Sequence, residues 1–143
     1  MSEANKVHEL RFDDIKVGYT AFLEHCISDQ DTAAFAKVSG DYNPLHVDDT
    51  YASSTPFGER IVHGMLLGAF VSQLIGMQLP GRFALILKET LEFRKPVHIG
   101  DSILVEGTVS RTSSATKIIE VDIKISVQDV SVADGSVLVQ VLK

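Results

Sequence analysis

The sequence predicts an α+β fold in which a curved antiparallel sheet wraps around one central helix. Three observations lead there. The stretch from about residue 63 to 77 is apolar around most of its circumference, the pattern of a helix covered by other structure. After residue 82 the apolar period changes from helical to the alternation of strands, and four such runs follow with short connections. The chain has 143 residues, 45% hydrophobic and 22% charged, which suits a single domain over 1–143 with a sizeable core and argues against disorder or low complexity.

The elements follow in order. An irregular arm and turn through Asp13-Asp14-Ile15-Lys16-Val17-Gly18 leads into a strand at about Tyr19 to Ile27. Ser28 caps a short helix, with Asp31 at the third helical position as a partial capping box, and Gly40-Asp41-Tyr42-Asn43-Pro44 ends it because the residue before proline is pushed out of the helical region. Asp48-Asp49 start another helical segment through Ala52, and Ser53 to Gly58 is loop. The long helix then runs from about His63 to Met77 and stops at Pro80-Gly81. Leu85, Leu87, Leu91 and Phe93 take the odd positions of a strand, with Glu89 breaking the alternation. Strands at Ile103 to Thr112 and Lys117 to Gln128 follow, then an Asp134-Gly135 turn and a last strand from Ser136 to Leu142. This is the layout of a single hotdog fold. Leftover apolar residues on the outer strands point to pairing with a second copy.

Charge and cysteine content narrow the partners. There are 13 basic against 19 acidic residues, a formal net charge of -6, and the acidic excess lies in the first 60 residues. No basic stripe for nucleic acid or an anionic membrane surface is present, although Arg94-Lys95 can meet a phosphorylated small molecule. Cys26 is the only cysteine, so an intrachain disulfide is impossible; a reducing, cytoplasmic setting and an inert packing role are expected. The start, Met1 to Lys6, lacks the basic-then-apolar order of a signal peptide. The apolar stretch Ile61 to Leu79 is interrupted by His63, Ser72 and Gln73, which suits a buried helix better than a membrane span.

The densest chemistry lies in Ser39-Gly40-Asp41-Tyr42-Asn43-Pro44-Leu45-His46-Val47-Asp48. A tight loop closed by Asn43 and stiffened by Pro44 can bring Asp41 and His46 to one point, where a carboxylate and an imidazole can share proton removal and delivery on one water. The plainer alternative is a turn in which Asp41 caps an N–H and His46 packs. A second cluster, Phe57 to Met65, leads into the long helix, where free N–H groups favour an anion or a polarised carbonyl. Gly64 has no side chain to block a ligand from its N–H, which can stabilise an enolate-like oxygen. His63 either shapes this helix start as a substrate-binding residue or is a hydrogen-bonded helix-start residue. No recurrent zinc spacing occurs among Asp41, His46, Asp48 and His63, and no glycine-rich phosphate loop is present, so no metal is expected.

Ser39-Gly40-Asp41-Tyr42-Asn43-Pro44-Leu45-His46 with Asp48 and Ala52 resembles the hydratase motif of the MaoC-like family, especially the short bacterial (R)-specific enoyl-CoA hydratases. Ile61-Val62-His63-Gly64-Met65-Leu66 resembles the family's second block, and Leu79-Pro80-Gly81 and Phe93 to Asp101 extend the likeness over essentially the whole chain. The resemblance implies that Asp41 and His46 hold the water added across a trans-2-enoyl thioester, that the Gly64 N–H binds the thioester carbonyl, and that Ser72 orients the aspartate. It also implies a homodimer with the pocket near the subunit interface and a tunnel for the pantetheine arm.

The expected activity is reversible hydration of trans-2-enoyl-CoA to (R)-3-hydroxyacyl-CoA, without metal, flavin or nicotinamide cofactor. Asn43, His63, Leu66 and Leu79 are expected to contact substrate, and Val130 is a further candidate for a tail pocket. Three alternatives stay open: a 3-hydroxyacyl-carrier-protein dehydratase, a hotdog acyl-CoA thioesterase, and a noncatalytic acyl-thioester binding protein. Fatty-acid metabolism and monomer supply for polyhydroxyalkanoate are the settings the resemblance implies.

Overall fold

The computed structural model describes residues 6–143; positions 1–5, part of the N-terminal segment read above for a leader pattern, lie outside them. The order is β1 (Thr20–Cys26), α1 (Asp29–Ser39), α2 (Pro44–Val47), α3 (Asp49–Ser53), α4 (Gly64–Met77), β2 (Ala84–Phe93), β3 (Ser102–Ser113), β4 (Ile118–Val127) and β5 (Val130–Val141). The five strands form one antiparallel sheet in the order β1-β3-β4-β5-β2. Among the described residues, no helix is long and apolar enough to cross a membrane.

The alternation in β4 builds the core. Ile119, Val121, Ile123 and Ile125 are buried beside Val105 and Val109 of β3 and Val137 and Val139 of β5. Leu67, Val71, Leu74 and Ile75 of α4 pack into the same cluster, and burying each such side chain contributes about 1.5–3 kcal/mol. At the junction of β1 and α1, Ser28 caps the helix and Asp31 closes the box by accepting the Ser28 N–H at 2.8 Å. His25 bonds the same Asp31 carboxylate at 2.8 Å. Burial pushes the Asp31 carboxyl up, but its hydrogen bonds with His25 and Ser28 prevail and hold it below the usual carboxylate value.

The sheet does not wrap around the helix, which corrects the expected geometry. β1 and β2 are opposite edges that do not pair with each other, and α4 lies across one face of an open sheet. Met65, Ala69, Ser72 and Gln73 form an exposed stripe along α4, with Met65 65% exposed. Strand number explains the difference. Five strands at about 4.8 Å spacing span roughly 24 Å, whereas a ring about 10 Å from a helix axis is roughly 60 Å around. The fold is a hotdog-like α+β arrangement with an uncovered helix face.

Three local expectations also change. Asp134-Gly135 is not a turn but the middle of β5; the reversal after β4 occurs at Gln128 and Asp129, whose φ values are 48° and 65°. Gly135 is needed for a close approach instead, since a Cβ there would lie 1.8 Å from the Thr90 carbonyl oxygen on β2. In β2 the register shifts between Ile86 and Lys88, so the inward positions change from Ala84 and Ile86 to Glu89 and Leu91, leaving Leu85 and Leu87 outside. Cys26 is exposed at the end of β1 rather than packed.

The bulge turns the Glu89 carboxyl against α4. Its Oε1 is buried without a hydrogen-bond partner, 2.9 Å from where a Cβ on Gly68 would stand. Burial pushes its pKa above the usual carboxylate value.

Two outcomes follow from these contacts. Gly135→Ala is expected to lower stability by about 2 kcal/mol or more, because the new methyl meets backbone that cannot rotate away; an unchanged urea midpoint would contradict it. Glu89→Gln is expected to raise the melting temperature at pH 7. The cost of the folded carboxylate is present above the folded pKa and fades as pH falls through it toward the unfolded value, so the gain should vanish below about pH 4. A gain that is the same at pH 7 and pH 4 would contradict that origin.

Candidate active site

Local chain chemistry brings the predicted loop to one place. Gly40 ends α1 with φ 77°, and Asp41 follows on an exposed turn. The Asn43 side chain then accepts the Leu45 N–H at 3.0 Å and caps α2, with Pro44 at its first position. His46 sits on this single turn of helix. The cap and turn thus replace the expected tight loop.

The His46 ring is oriented from across the site. Its Nδ1 lies 2.7 Å from the carbonyl oxygen of Ile61. A carbonyl only accepts, so Nδ1 carries the hydrogen and donates, leaving the Nε2 lone pair as the proton acceptor. The Ile61 N–H in turn donates to the Leu45 carbonyl at 3.3 Å. Arg60 braces the same junction, with 2.6 Å bonds to Asp29 and Asp49 and a 3.5 Å contact to the His46 carbonyl.

His63 precedes α4 and is 2% exposed. Its Nε2 lies 3.0 Å from the Asp41 carbonyl oxygen, and its ring stacks on His46 with centroids 4.0 Å apart and planes 29° apart. One ligand-type atom from each of Asp41, His46 and His63 falls within 4.8 Å of the others. Two of the four ring nitrogens are already engaged, His46 Nδ1 by the Ile61 carbonyl and His63 Nε2 by the Asp41 carbonyl, so each imidazole has one nitrogen left for a further contact. At this separation Asp41 and His46 are close enough to address one water between them.

A cavity of about 320 Å³ opens beside this cluster, lined by His46, Phe57, Gly64, Leu67, Phe93 and Val97 among others. Gly64 is the first residue of α4, where the N–H has no partner within the helix. A Cβ on Gly64 would meet the Phe93 ring at 2.9 Å, so the glycine lets an aromatic wall stand against the helix start. Arg94 and Lys95 also line the cavity, and Arg94 is engaged by Asp134 at 2.9 Å and Glu92 at 2.6 Å.

The structure brings together Asp41, His46 and His63, with Gly64 at the neighbouring cavity. The other predicted residues are placed differently. Ser72 is exposed on the open stripe of α4 and makes no hydrogen bond to Asp41, whose Oδ1 accepts the Asn43 N–H at 3.1 Å. Asn43 acts on α2 as its cap rather than lining the cavity. Leu66 and Leu79 belong to the core cluster, His63 does not line the cavity, and Val130 is exposed at the start of β5. A larger cleft of about 400 Å³, at Glu24, Cys26, Ser102 and Ser126, contains none of the predicted site residues. Sequence reasoning missed Phe57, Leu67 and Phe93 as cavity walls, although both phenylalanines flank motifs it singled out. It also missed the Ile61 carbonyl, for which a backbone atom leaves no residue-type signal.

Comparison with known proteins gives this geometry a family. The MaoC like domain matches residues 13–131. The chain belongs to the MaoC-like family. Its relatives include the 3-hydroxybutyryl-CoA dehydratase of Methylorubrum extorquens, 40% identical over 134 residues that cover 94% of this chain and 85% of the relative. The (R)-specific enoyl-CoA hydratase of Rhodospirillum rubrum is 44% identical over 99 residues, 69% of each chain. The unliganded R-hydratase PhaJ1 from Pseudomonas aeruginosa superposes with a TM-score of 0.90 at 36% identity, covering 94% of this MaoC-like chain and 87% of that one.

Proposed function

We infer that this MaoC-like protein is an (R)-specific enoyl-CoA hydratase, a hydro-lyase that reversibly adds water to trans-2-enoyl-CoA to give (R)-3-hydroxyacyl-CoA. The observation that carries the reading is the pairing of Asp41 with His46, whose bare Nε2 is fixed by the Ile61 carbonyl, beside a cavity that holds the Gly64 helix start. Its similarity to the R. rubrum hydratase and PhaJ1 supports the same reading.

In the proposed step, water is held by Asp41 and His46. One of the pair removes a proton from the water as its oxygen bonds to C3, and that same proton is passed to C2 directly or through the other residue, so both return to their starting state. The Gly64 N–H meets the thioester oxygen, where negative charge grows as the C2=C3 electrons shift toward the carbonyl. Phe57, Leu67 and Phe93 form the apolar wall for the acyl chain. The proposed setting is the cytoplasm, in fatty-acid metabolism or in supplying monomers for polyhydroxyalkanoate.

The proposed assembly is a homodimer. Met65 and the rest of the α4 stripe are uncovered, and the β2 edge adds Leu85, Leu87 and Phe93, which are 45%, 48% and 51% exposed. Sedimentation velocity should give roughly twice the 15.6 kDa chain mass, and Met65→Glu should shift it toward one chain. A single-chain mass for the unmodified protein at micromolar concentration would rule the dimer out.

The activity test follows loss of the enoyl-thioester absorbance, with chiral analysis of the product and a thiol trap run in parallel. Hydration to the (R) product without free thiol is expected. An (S) product, thiol release or an inert protein would reject the assignment. Asp41→Asn and His46→Ala should each lower turnover by about 10² to 10⁴-fold with little change in melting temperature, while Ser72→Ala should be milder. Near-normal turnover in His46→Ala would remove the imidazole from the chemistry.

A further inference from the structure

The turn that carries Asp41 has little to hold it. Residues Asp41, Tyr42, Asn43 and Pro44 are all exposed. Nearly all its hydrogen bonds are local, among them the Gly40 N–H to the Ala36 carbonyl at 2.9 Å, the Asp41 N–H to Ser39 Oγ at 3.1 Å, the Asn43 N–H to Asp41 Oδ1 at 3.1 Å, and the Leu45 N–H to Asn43 Oδ1 at 3.0 Å. Among the described residues, the turn makes one hydrogen bond to a distant part of the chain. It comes from His63, which is 22 positions away and lies 3.0 Å from the Asp41 carbonyl oxygen.

His63 is suited to be that anchor. It is 2% exposed, packed between the Phe35 ring at 4.9 Å and the His46 ring at 4.0 Å. The carbonyl of Asp41 is an acceptor only, so Nε2 carries the hydrogen, and Nδ1 is left as a buried lone pair without a partner. A buried nitrogen left unsatisfied is destabilising, a cost that an apolar side chain of similar volume would avoid. The Nε2–H bond is the contribution that an apolar residue cannot make.

We propose that His63 is a positioning residue: through its Nε2–H bond to the Asp41 carbonyl and its stack on His46, it holds the carboxylate and the imidazole at the spacing that one shared water requires. His63 is not among the residues that line the cavity, and it acts through Asp41 and His46. This rests on the proposed hydration, since that is what gives the spacing its consequence. Misplacing a reacting group by about 1 Å can cost on the order of 10²-fold.

Two variants separate the hydrogen bond from the packing. His63→Gln keeps an N–H at a similar reach, whereas His63→Phe keeps a stacked ring and loses the donor. His63→Phe is expected to lower kcat about 10 to 100-fold with KM within about twofold of the unmodified protein, and His63→Gln to recover most of the loss. Backbone order parameters at Asp41 and Tyr42 should stay near the rigid value of about 0.85 in the unmodified protein and in His63→Gln, and fall in His63→Phe. If His63→Phe does not fold, His63→Leu takes its place in both measurements. Equal kcat in all variants, a His63→Gln as slow as His63→Phe, or a rise in KM alone would overturn the proposal. A protein that hydrates no enoyl thioester would defeat the functional reading, and the order parameters would still decide whether His63 anchors the turn: a rigid turn in His63→Phe overturns it, and a loosened one supports it.

Discussion

The hydrogen bond from the His46 ring to the Ile61 carbonyl joins the two short segments that carry the site. One is the single turn of α2; the other is the extended run that feeds α4. Their union is reinforced by the Ile61 N–H on Leu45 and by Arg60 on the His46 carbonyl. Without it, His46 would have a free choice of tautomer and only the His63 stack to set its ring angle, and the start of α4 would lose its hydrogen-bonded tie to the imidazole. The Arg60 ion pairs add alignment more than stability, because their carboxylates are 70% and 83% solvent-exposed and such pairs contribute about 1 kcal/mol or less.

The sheet sets the second relation, between the helix start and the cavity wall. β2 is an edge strand, yet its far end must deliver Phe93 onto Gly64. It is held against β5 by the close approach at Gly135, and two residues share that location, since Asp134 beside it binds Arg94 at the cavity. The same strand carries the bulge at Leu87 that turns Glu89 inward. A change in the bulge would therefore alter the register of the residues leading to Phe93 as well as the surface of α4.

Much of this was legible in the residues because local rules govern it. Ser28, Asp31, Gly40 and Asp48 end or start elements as their own preferences predict, whereas Asn43 and Pro44, read as loop closers, start α2 instead. The Asp41 and His46 pair was legible for the same reason, as the products of one short cap and turn. What escaped depends on pairing between distant segments. Asp134-Gly135 looks like a hairpin turn by composition, but the glycine serves contact with a strand some 45 residues earlier in the chain. The bulge in β2 likewise shows only as the break in alternation at Glu89, so Leu85 and Leu87 were read in one row with Leu91, which the structure places on the other face. The uncovered side of α4 was visible in part, since Ala69, Ser72 and Gln73 are small or polar, yet the high apolar content of the helix outweighed that spacing.

The engagement of Arg94 bears on how a substrate arrives. The Arg94 guanidinium is held by both Asp134 and Glu92, which leaves Lys95 as the neighbouring cation in the cavity lining, and the whole chain has a formal charge of -6. A thioester carried on a phosphate-bearing nucleotide is itself strongly anionic. Its long-range approach is therefore opposed rather than steered, so encounter is slowed at low ionic strength and quickens as added salt screens the repulsion. Capture then falls to short range, where Lys95 faces the anionic carrier and the aromatic wall receives the acyl chain.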